Sequence, residues 1–225
     1  MDHNKRYEIC FSKEKDLGEF LKEAKGLNYS SFVFFEINDV LDIGEIETDF
    51  RVFKGIEIHK KDIGDIKSDI STYRSKVDYL AVKARDNRVK EVLSKDKRVD
   101  CLVDCFGRRN DFDYVVAENC KRNDVAIEFN FGKLLRCSGY ERSMLVRKFH
   151  RSLKLVRKYG SPLILTMKPS TVFDLRGFRE FFSLIKSIGF SKEDLIYSNN
   201  YFKRLIERNC EFDKDEFVEP GIEKV

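Results

Sequence analysis

Short apolar runs alternate along the chain with stretches in which apolar residues return every three or four positions. The first pattern marks strands and the second marks helices that bury one face. Residues 7–11 predict a first strand. Leu17, Phe20, Leu21 and Ala24 follow at helical spacing, with Ser12 available near the helix start. Residues 31–37 predict a second strand, followed by an acidic loop holding Asp39, Asp42, Glu45, Glu47 and Asp49. A third strand covers residues 51–58, and Ile63, Ile66, Ile70 and Tyr73 mark the next helix. Strands over 77–82 and 99–103 are followed by helices over 88–94 and 112–122. A sixth strand at 125–129 leads to a long helix over 140–159, whose Leu145, Phe149, Leu153 and Val156 share a face. The seventh strand spans 162–166. Phe178, Phe181, Phe182, Ile185 and Ile188 form the helix after it, which stops at Gly189. Ser191 with Asp194 three residues on is a capping-box pattern opening a last helix.

Strands that alternate with helices imply a parallel sheet, because each helix returns the chain to the same end of the sheet. An open doubly wound sheet and a closed barrel both fit. The unit count approaches the eight of a (β/α) barrel, which favours an α/β, TIM-barrel-like fold of about seven parallel strands with one element short or missing. No linker interrupts the alternation, so residues 1–212 read as a single domain and 213–225 as an acidic tail carrying Pro220.

Composition narrows the class. Twenty Phe and nine Tyr in 225 residues bury too much to leave the chain disordered. No stretch approaches the roughly 18 consecutive apolar residues of a membrane span, and the polar opening before the first strand lacks a signal-peptide apolar region. The six cysteines (Cys10, Cys101, Cys105, Cys120, Cys137, Cys210) contain no CxxC pair. They read as reduced and buried, which places the protein in the cytoplasm.

The net charge of +4 hides an uneven distribution. Residues 1–75 hold 12 Lys and Arg against 16 Asp and Glu, residues 76–175 hold 22 against 13, and the remainder 9 against 10. The excess gathers at the C-terminal ends of the expected strands, which in a parallel α/β fold open on one face. His59, Lys60 and Lys61 follow the third strand and Lys83, Arg85 and Arg88 the fourth. Arg108 and Arg109 follow the fifth, Lys133, Arg136 and Arg142 the sixth, and Lys168 the seventh. Arginine suits phosphate there because its planar fork donates two parallel hydrogen bonds. Phe106, Phe131 and Tyr140 lie among these charges and could stack on bases or simply pack beneath the loops. The long helix adds Arg147, Lys148, Arg151, Lys154, Arg157 and Lys158, a pattern that also serves as a solvated outer face.

The familiar catalytic signatures are missing. There is no GxGxxG, no GxxxxGK[ST], no HExxH and no GxSxG. His3, His59 and His150 are far apart in sequence, which argues against an imidazole metal site. Glu57, Asp104 and Glu128 are acids near strand ends and read equally as structural hydrogen-bonding groups.

Residues 124–170 resemble the signature region of the archaeal ribonuclease P protein component 3 family. The strand V-x-I-E at Val125, Ile127 and Glu128, a loop with paired Leu134 and Leu135, then Gly139 and Arg142 opening the basic helix, carry the resemblance. The segments at 51–58, 77–103 and 174–191 are also similar, so the match spans about residues 51–200. The resemblance implies a TIM-barrel-like fold distantly related to the PHP metal-dependent phosphoesterases. It also implies a role in removing the 5′ leader of precursor tRNA, with the RNA subunit as catalyst and its magnesium as the only cofactor expected. The partners it implies are ribonuclease P RNA, protein component 2, the other ribonuclease P proteins and, for the holoenzyme, precursor tRNA. The metal-dependent relatives end their first strand in H-x-H, whereas this strand reads YEICFS. After the seventh strand, where the family often has a small Ser-Gly run, this chain has Thr166, Met167 and Lys168.

The chain is therefore expected to be a non-catalytic, metal-free, RNA-binding subunit. Arg85, Arg88, Arg108, Arg109, Lys133, Arg136, Arg142 and Lys168 are expected to neutralise phosphates. The alternatives are a metal-dependent phosphoesterase on the same barrel, or a protein-interaction module using apolar helix faces and the acidic loop.

Overall fold

Seven strands form one sheet in chain order, each parallel to its neighbours: β1 (Arg6–Cys10), β2 (Tyr29–Phe35), β3 (Arg51–Ile58), β4 (Tyr79–Lys83), β5 (Cys101–Val103), β6 (Ala126–Asn130) and β7 (Leu163–Thr166). The helices are α1 (Leu17–Gly26), α2 (Ile63–Tyr73), α3 (Asn87–Leu93), α4 (Tyr114–Asn123), α5 (Phe131–Arg136), α6 (Gly139–Tyr159), α7 (Phe178–Ser187) and α8 (Lys192–Phe212). A separate antiparallel pair, β8 (Phe217–Glu219) with β9 (Ile222–Glu223), follows. The computed structural model describes residues 6–10, 17–35, 50–106, 112–212, 217–219 and 222–223. The acidic loop at 39–49, Ser12, Arg108 and Arg109 lie outside them.

The strand faces divide as a barrel requires. On one parity, Leu80, Val82, Leu102, Ile127, Phe129, Leu163 and Leu165 pack under the helices, with Ile66, Ile70, Val116, Phe149, Leu153 and Ile185. On the other, Ile9, Val33, Phe35, Tyr79, Ala81, Cys101, Val103, Ala126 and Ile164 fill the interior, joined by Tyr201, Phe202, Leu205 and Ile206 of α8. α8 lies across the N-terminal ends of the strands. Its Tyr201 hydroxyl donates to the Asp124 carbonyl at 2.9 Å, and its Asn209 amide donates to the Asp78 carbonyl at 2.9 Å and to Asp100 Oδ1 at 3.0 Å.

Among the described residues no backbone ladder joins β1 to β7, and side chains complete the circuit. The Tyr7 and Leu165 amides donate to Asn199 Oδ1 and Ser198 Oγ of α8, at 2.9 and 2.7 Å. Nearer the C-terminal end, the buried Glu8 carboxylate accepts from the Thr166 hydroxyl, from the Met167 amide at 3.1 Å and from Arg6 Nη2 at 2.5 Å. An eighth strand would have paired these edge groups, and here one carboxylate and one helix do so. The barrel is thus nearly closed, which decides against the open sheet.

The capping signals act as written. The Ser191 amide donates to Asp194 Oδ2 at 2.7 Å and the Asp194 amide to Ser191 Oγ at 3.2 Å, while Gly189 ends α7 at φ +100°. Two expectations are corrected. The stretch at 131–136, expected to be a loop, is the helix α5, capped by the Asn130 side chain accepting from the Lys133 amide at 2.9 Å. Strands β4 and β5 begin two residues later than expected, because Val77 and Val99 sit in the turns that deliver the chain to the sheet rather than opposite a ladder partner. None of the six cysteines, all among the described residues, forms a disulfide, but Cys137 and Cys210 are half-buried rather than buried. Burial pushes the Cys105 thiol up to about 12 and raises those of Cys101 and Cys120 as well, which keeps all three as thiols at neutral pH.

Candidate functional site

The interior parity that is apolar through the lower barrel turns polar at the C-terminal mouth. Glu57 follows Phe53 and Gly55 on that face of β3, Lys83 follows Tyr79 and Ala81 on β4, and Glu128 and Asn130 follow Ala126 on β6. With Asp104, His59, Arg85, Lys133, Arg136 and Lys168 they line a cavity of about 270 Å³.

Its floor is a buried ion triad. Lys168 Nζ lies 2.6 Å from Glu57 Oε2 and 2.8 Å from Glu128 Oε1, and the residue is only 3% exposed. Two features bring it there. Lys168 adopts a left-handed backbone (φ +43°), with its amide donating to Thr166 Oγ1 at 2.9 Å. Gly132 of α5 lies so close beneath the Met167 carbonyl that a Cβ would come within 1.8 Å of that oxygen, so only glycine fits there. Burial works to lower the Lys168 ammonium, but the Glu128 and Glu57 charges outweigh it and hold the group above the ordinary lysine range. Burial pushes the Glu128 carboxyl up to about 7, with Lys168 pulling against it and Glu57 adding to it.

Above this floor His59 Nε2 lies 3.0 Å from Glu57 Oε1, and Lys83 Nζ lies 3.5 Å from His59 Nδ1, an order that the Nε2–H tautomer satisfies. On the opposite wall Arg85 and Lys133 both bind Asp104, itself in the left-handed region at φ +55°. Burial opposes the Asp104 charge, but the two cations prevail and hold its carboxyl below the usual range. Arg136 reaches toward Asp174 at 3.9 Å. The lining therefore sets five cations against three carboxylates, with all the cations but Lys168 open to solvent at their tips.

Of the eight cations expected to contact RNA, Arg85, Lys133 and Arg136 converge on this mouth and stay exposed. Lys168 converges too, but as the buried partner of two glutamates, which removes it from the accessible surface. Arg88 is exposed on the first turn of α3, away from the cavity lining. Arg142 pins the corner between α5 and α6, its guanidinium donating to the carbonyls of Cys137 at 2.8 Å and Leu135 at 3.3 Å. Of the three aromatics that could have stacked on bases, Phe131 is fully buried against Phe149, Phe181 and Phe190. Phe106 packs on Phe112, Phe129 and Phe149, and only Tyr140, 79% exposed, remains available. On the long helix Lys148 is buried and Arg157 is tied to Asp194 at 2.5 Å, which leaves Arg147, Arg151, Lys154 and Lys158 on its outer face.

A family model described as RNase P subunit p30 matches residues 5–209. The chain belongs to this family. It is a protein subunit of ribonuclease P. Ribonuclease P protein component 3 of Methanococcus maripaludis strain C6 is 30% identical over 203 residues, covering 88% of this chain and 85% of that protein. The component 3 protein of Haloarcula marismortui is 28% identical over 171 residues, covering 76% and 73%. In fold, the p30-family subunit matches a chain in a cryo-EM structure of archaeal ribonuclease P with mature tRNA, with a TM-score of 0.85 at 21% identity over 98% of both chains. It also matches histidinol phosphate phosphatase from Lactococcus lactis, solved with zinc, L-histidinol and phosphate, with a TM-score of 0.55 at 10% identity over 83% and 94%.

The metal that such a phosphatase-like barrel implies does not fit the mouth of the p30-family subunit. Among the described residues no three His, Cys, Asp or Glu side chains are grouped to hold an ion. The Lys168 ammonium already occupies the space between the Glu57 and Glu128 carboxylates. The interior parity of Glu57 and Glu128 on otherwise apolar strand faces is the sequence signal for this triad, and it becomes readable once the strands are known to close.

Proposed function

We propose that this subunit serves ribonuclease P by holding RNA backbone across the C-terminal mouth of its barrel, leaving 5′-leader cleavage of precursor tRNA to the RNA subunit and its magnesium. The observation that carries this reading is the convergence of Lys83, Arg85, Lys133 and Arg136 around one 270 Å³ opening. Cations so placed neutralise neighbouring phosphates and release counterions without reading sequence. Protein component 2 and the other protein subunits would hold the chain in the assembly, in the cytoplasm. Among the described residues no helix is long and apolar enough to cross a membrane. Arg108 and Arg109 lie outside the described residues and stay in the proposed contact set with Arg88 and Arg142.

Reconstitution of precursor-tRNA cleavage from ribonuclease P RNA and component 2, with and without this chain, tests the assignment. Stimulation by the chain with no cleavage by the chain alone is the expected outcome, and cleavage by the chain with magnesium alone would overturn it. Within that system, Lys133→Ala and Arg136→Ala should each weaken RNA binding and reduce the log–log salt slope by about 0.7–0.9 for each phosphate left without its cation. Slopes unchanged in both variants would remove the mouth from the interface.

Asp104 gives a test of opposite sign. Asparagine also tolerates the left-handed backbone, so Asp104→Asn should fold while releasing Arg85 and Lys133. Tighter RNA binding at low salt with a steeper salt slope is expected, as read by filter binding across a salt series. Weaker binding would mean that Asp104 aims the two cations rather than competing for them.

A further inference from the structure

Phe173 is the one exposed phenylalanine among the described side chains, at 86% of its surface, while the others sit in or against the core. Its backbone is heavily fixed. It sits in a 3-10 turn, Val172–Asp174, closed by a capping box between Thr171 and Asp174. Asp174 Oδ2 also accepts from the Ser170 amide at 3.0 Å and the Ser170 hydroxyl at 2.9 Å. Arg176 Nη1 donates to the carbonyls of Phe173 and Leu175, each at 2.6 Å. The Arg176 carbonyl in turn accepts from Arg6 Nη1 at 3.0 Å and from the Tyr29 hydroxyl at 2.9 Å, so the turn is tied to the barrel wall. A turn held by this many bonds gives the ring no route to cover.

The ring's surroundings state what would cover it. The turn belongs to the connection after β7, at the C-terminal end of the barrel. Arg136, which lines the mouth, approaches the neighbouring Asp174 at 3.9 Å, and Arg176 folds back onto the Phe173 carbonyl. An apolar π-face on a turn whose Asp174 carboxylate and Phe173 carbonyl engage two arginines, at the end of the barrel where the basic mouth opens, matches a nucleotide: a flat base for the ring and phosphates for the arginines. A purely apolar protein pocket would have to take in both charges.

We propose that Phe173 is a stacking platform for an unpaired nucleobase of the RNA that crosses the mouth, an inference that rests on the RNA-binding reading above. The protein contains no tryptophan, so Phe173→Trp in the full chain places a single indole at this point. Titration with ribonuclease P RNA should quench its emission, as stacking on a base does. Phe173→Ala should weaken RNA binding by about 10-fold or more with the salt slope unchanged, since every phosphate keeps its cation. Phe173→Leu should lose nearly as much, because it keeps apolar area but not the π-face. Emission unaffected by RNA, in a protein whose Arg136→Ala variant still binds more weakly with a shallower slope, would overturn the platform and leave the mouth reading standing. Affinity and slope both unchanged in Arg136→Ala, Lys133→Ala and Phe173→Ala together would overturn both. A blue shift on adding the protein components without RNA would also overturn the platform, by assigning the ring to a protein contact.

Discussion

Lys168→Met is expected to cost roughly 3–5 kcal/mol of folding stability, because it leaves Glu57 and Glu128 buried beside one another with no counter-charge. For a domain of this size that corresponds to a fall in Tm of roughly 6–20 °C. Methionine nearly matches the lysine stem in volume, so the loss is one of charge compensation and not of packing. The triple variant Lys168→Met/Glu57→Gln/Glu128→Gln should therefore recover most of it. The sign of the pH dependence follows from the same groups. Without the ammonium, burial and the neighbouring Glu57 charge raise the Glu128 carboxyl above the ordinary Glu value of 4.5 unopposed, so the folded state takes up protons more readily than the unfolded chain. Stability held by such a group is present below 4.5 and is lost as pH rises through its raised value. The deficit of Lys168→Met against the parent should thus be small near pH 4 and widen toward pH 8. Chemical denaturation across that range would settle it, and a deficit under about 1 kcal/mol at pH 8 would show that the triad carries no net weight.

Glu8→Ala should destabilise by a similar amount through a different route. Glu8 is the acceptor that joins β1 to the end of β7, and its removal strands Arg6 in a buried site and leaves the Met167 amide without its acceptor. Arg6 would keep its stacking over Phe181, 3.9 Å from the ring centroid, and its bond to the Tyr29 hydroxyl at 3.0 Å. Those interactions do not neutralise its charge. Opening should be confined to the seam. Hydrogen exchange at Met167 should accelerate by orders of magnitude, while amides in β4 and β5, on the far side of the barrel, follow only the global loss. Uniform acceleration across all seven strands would mean that Glu8 supports the whole core and not the closure.

The two variants also separate what holds the mouth together. Lys168 fixes the floor on which the exposed cations stand, so its loss should weaken RNA binding indirectly, by disordering Lys83 and His59 through Glu57. Glu8 contributes no lining residue, and a loss of RNA binding in Glu8→Ala at temperatures where the protein is folded would place the seam, too, in the support of the interface.

Much of this architecture is readable from the chain alone. Strand and helix patterns, the Gly189 stop, the Ser191–Asp194 cap and the parallel sheet follow from the sequence because periodicity reports which face of a local element is buried. The clustering of Arg85, Lys133 and Arg136 is equally legible, since a parallel fold sends every strand's C-terminal end to the same side. Family membership is readable from the strand, loop and basic helix at 125–142, which local order preserves.

What only the tertiary structure decided was the use of individual residues whose partners are distant in sequence. Lys168 reads in sequence as one more strand-end cation, and becomes a buried ion partner only when residues 111 and 40 positions away arrive at its ammonium. Glu8 meets Thr166 across 158 positions, at a seam where no backbone ladder joins β1 to β7 among the described residues. Phe131 and Phe173 are alike as residues, yet three other phenylalanines converge to bury the first, and a fixed turn carries the second into solvent. Burial and pairing at such points are properties of the closed barrel: local sequence sets which way a side chain points, and closure sets what it meets.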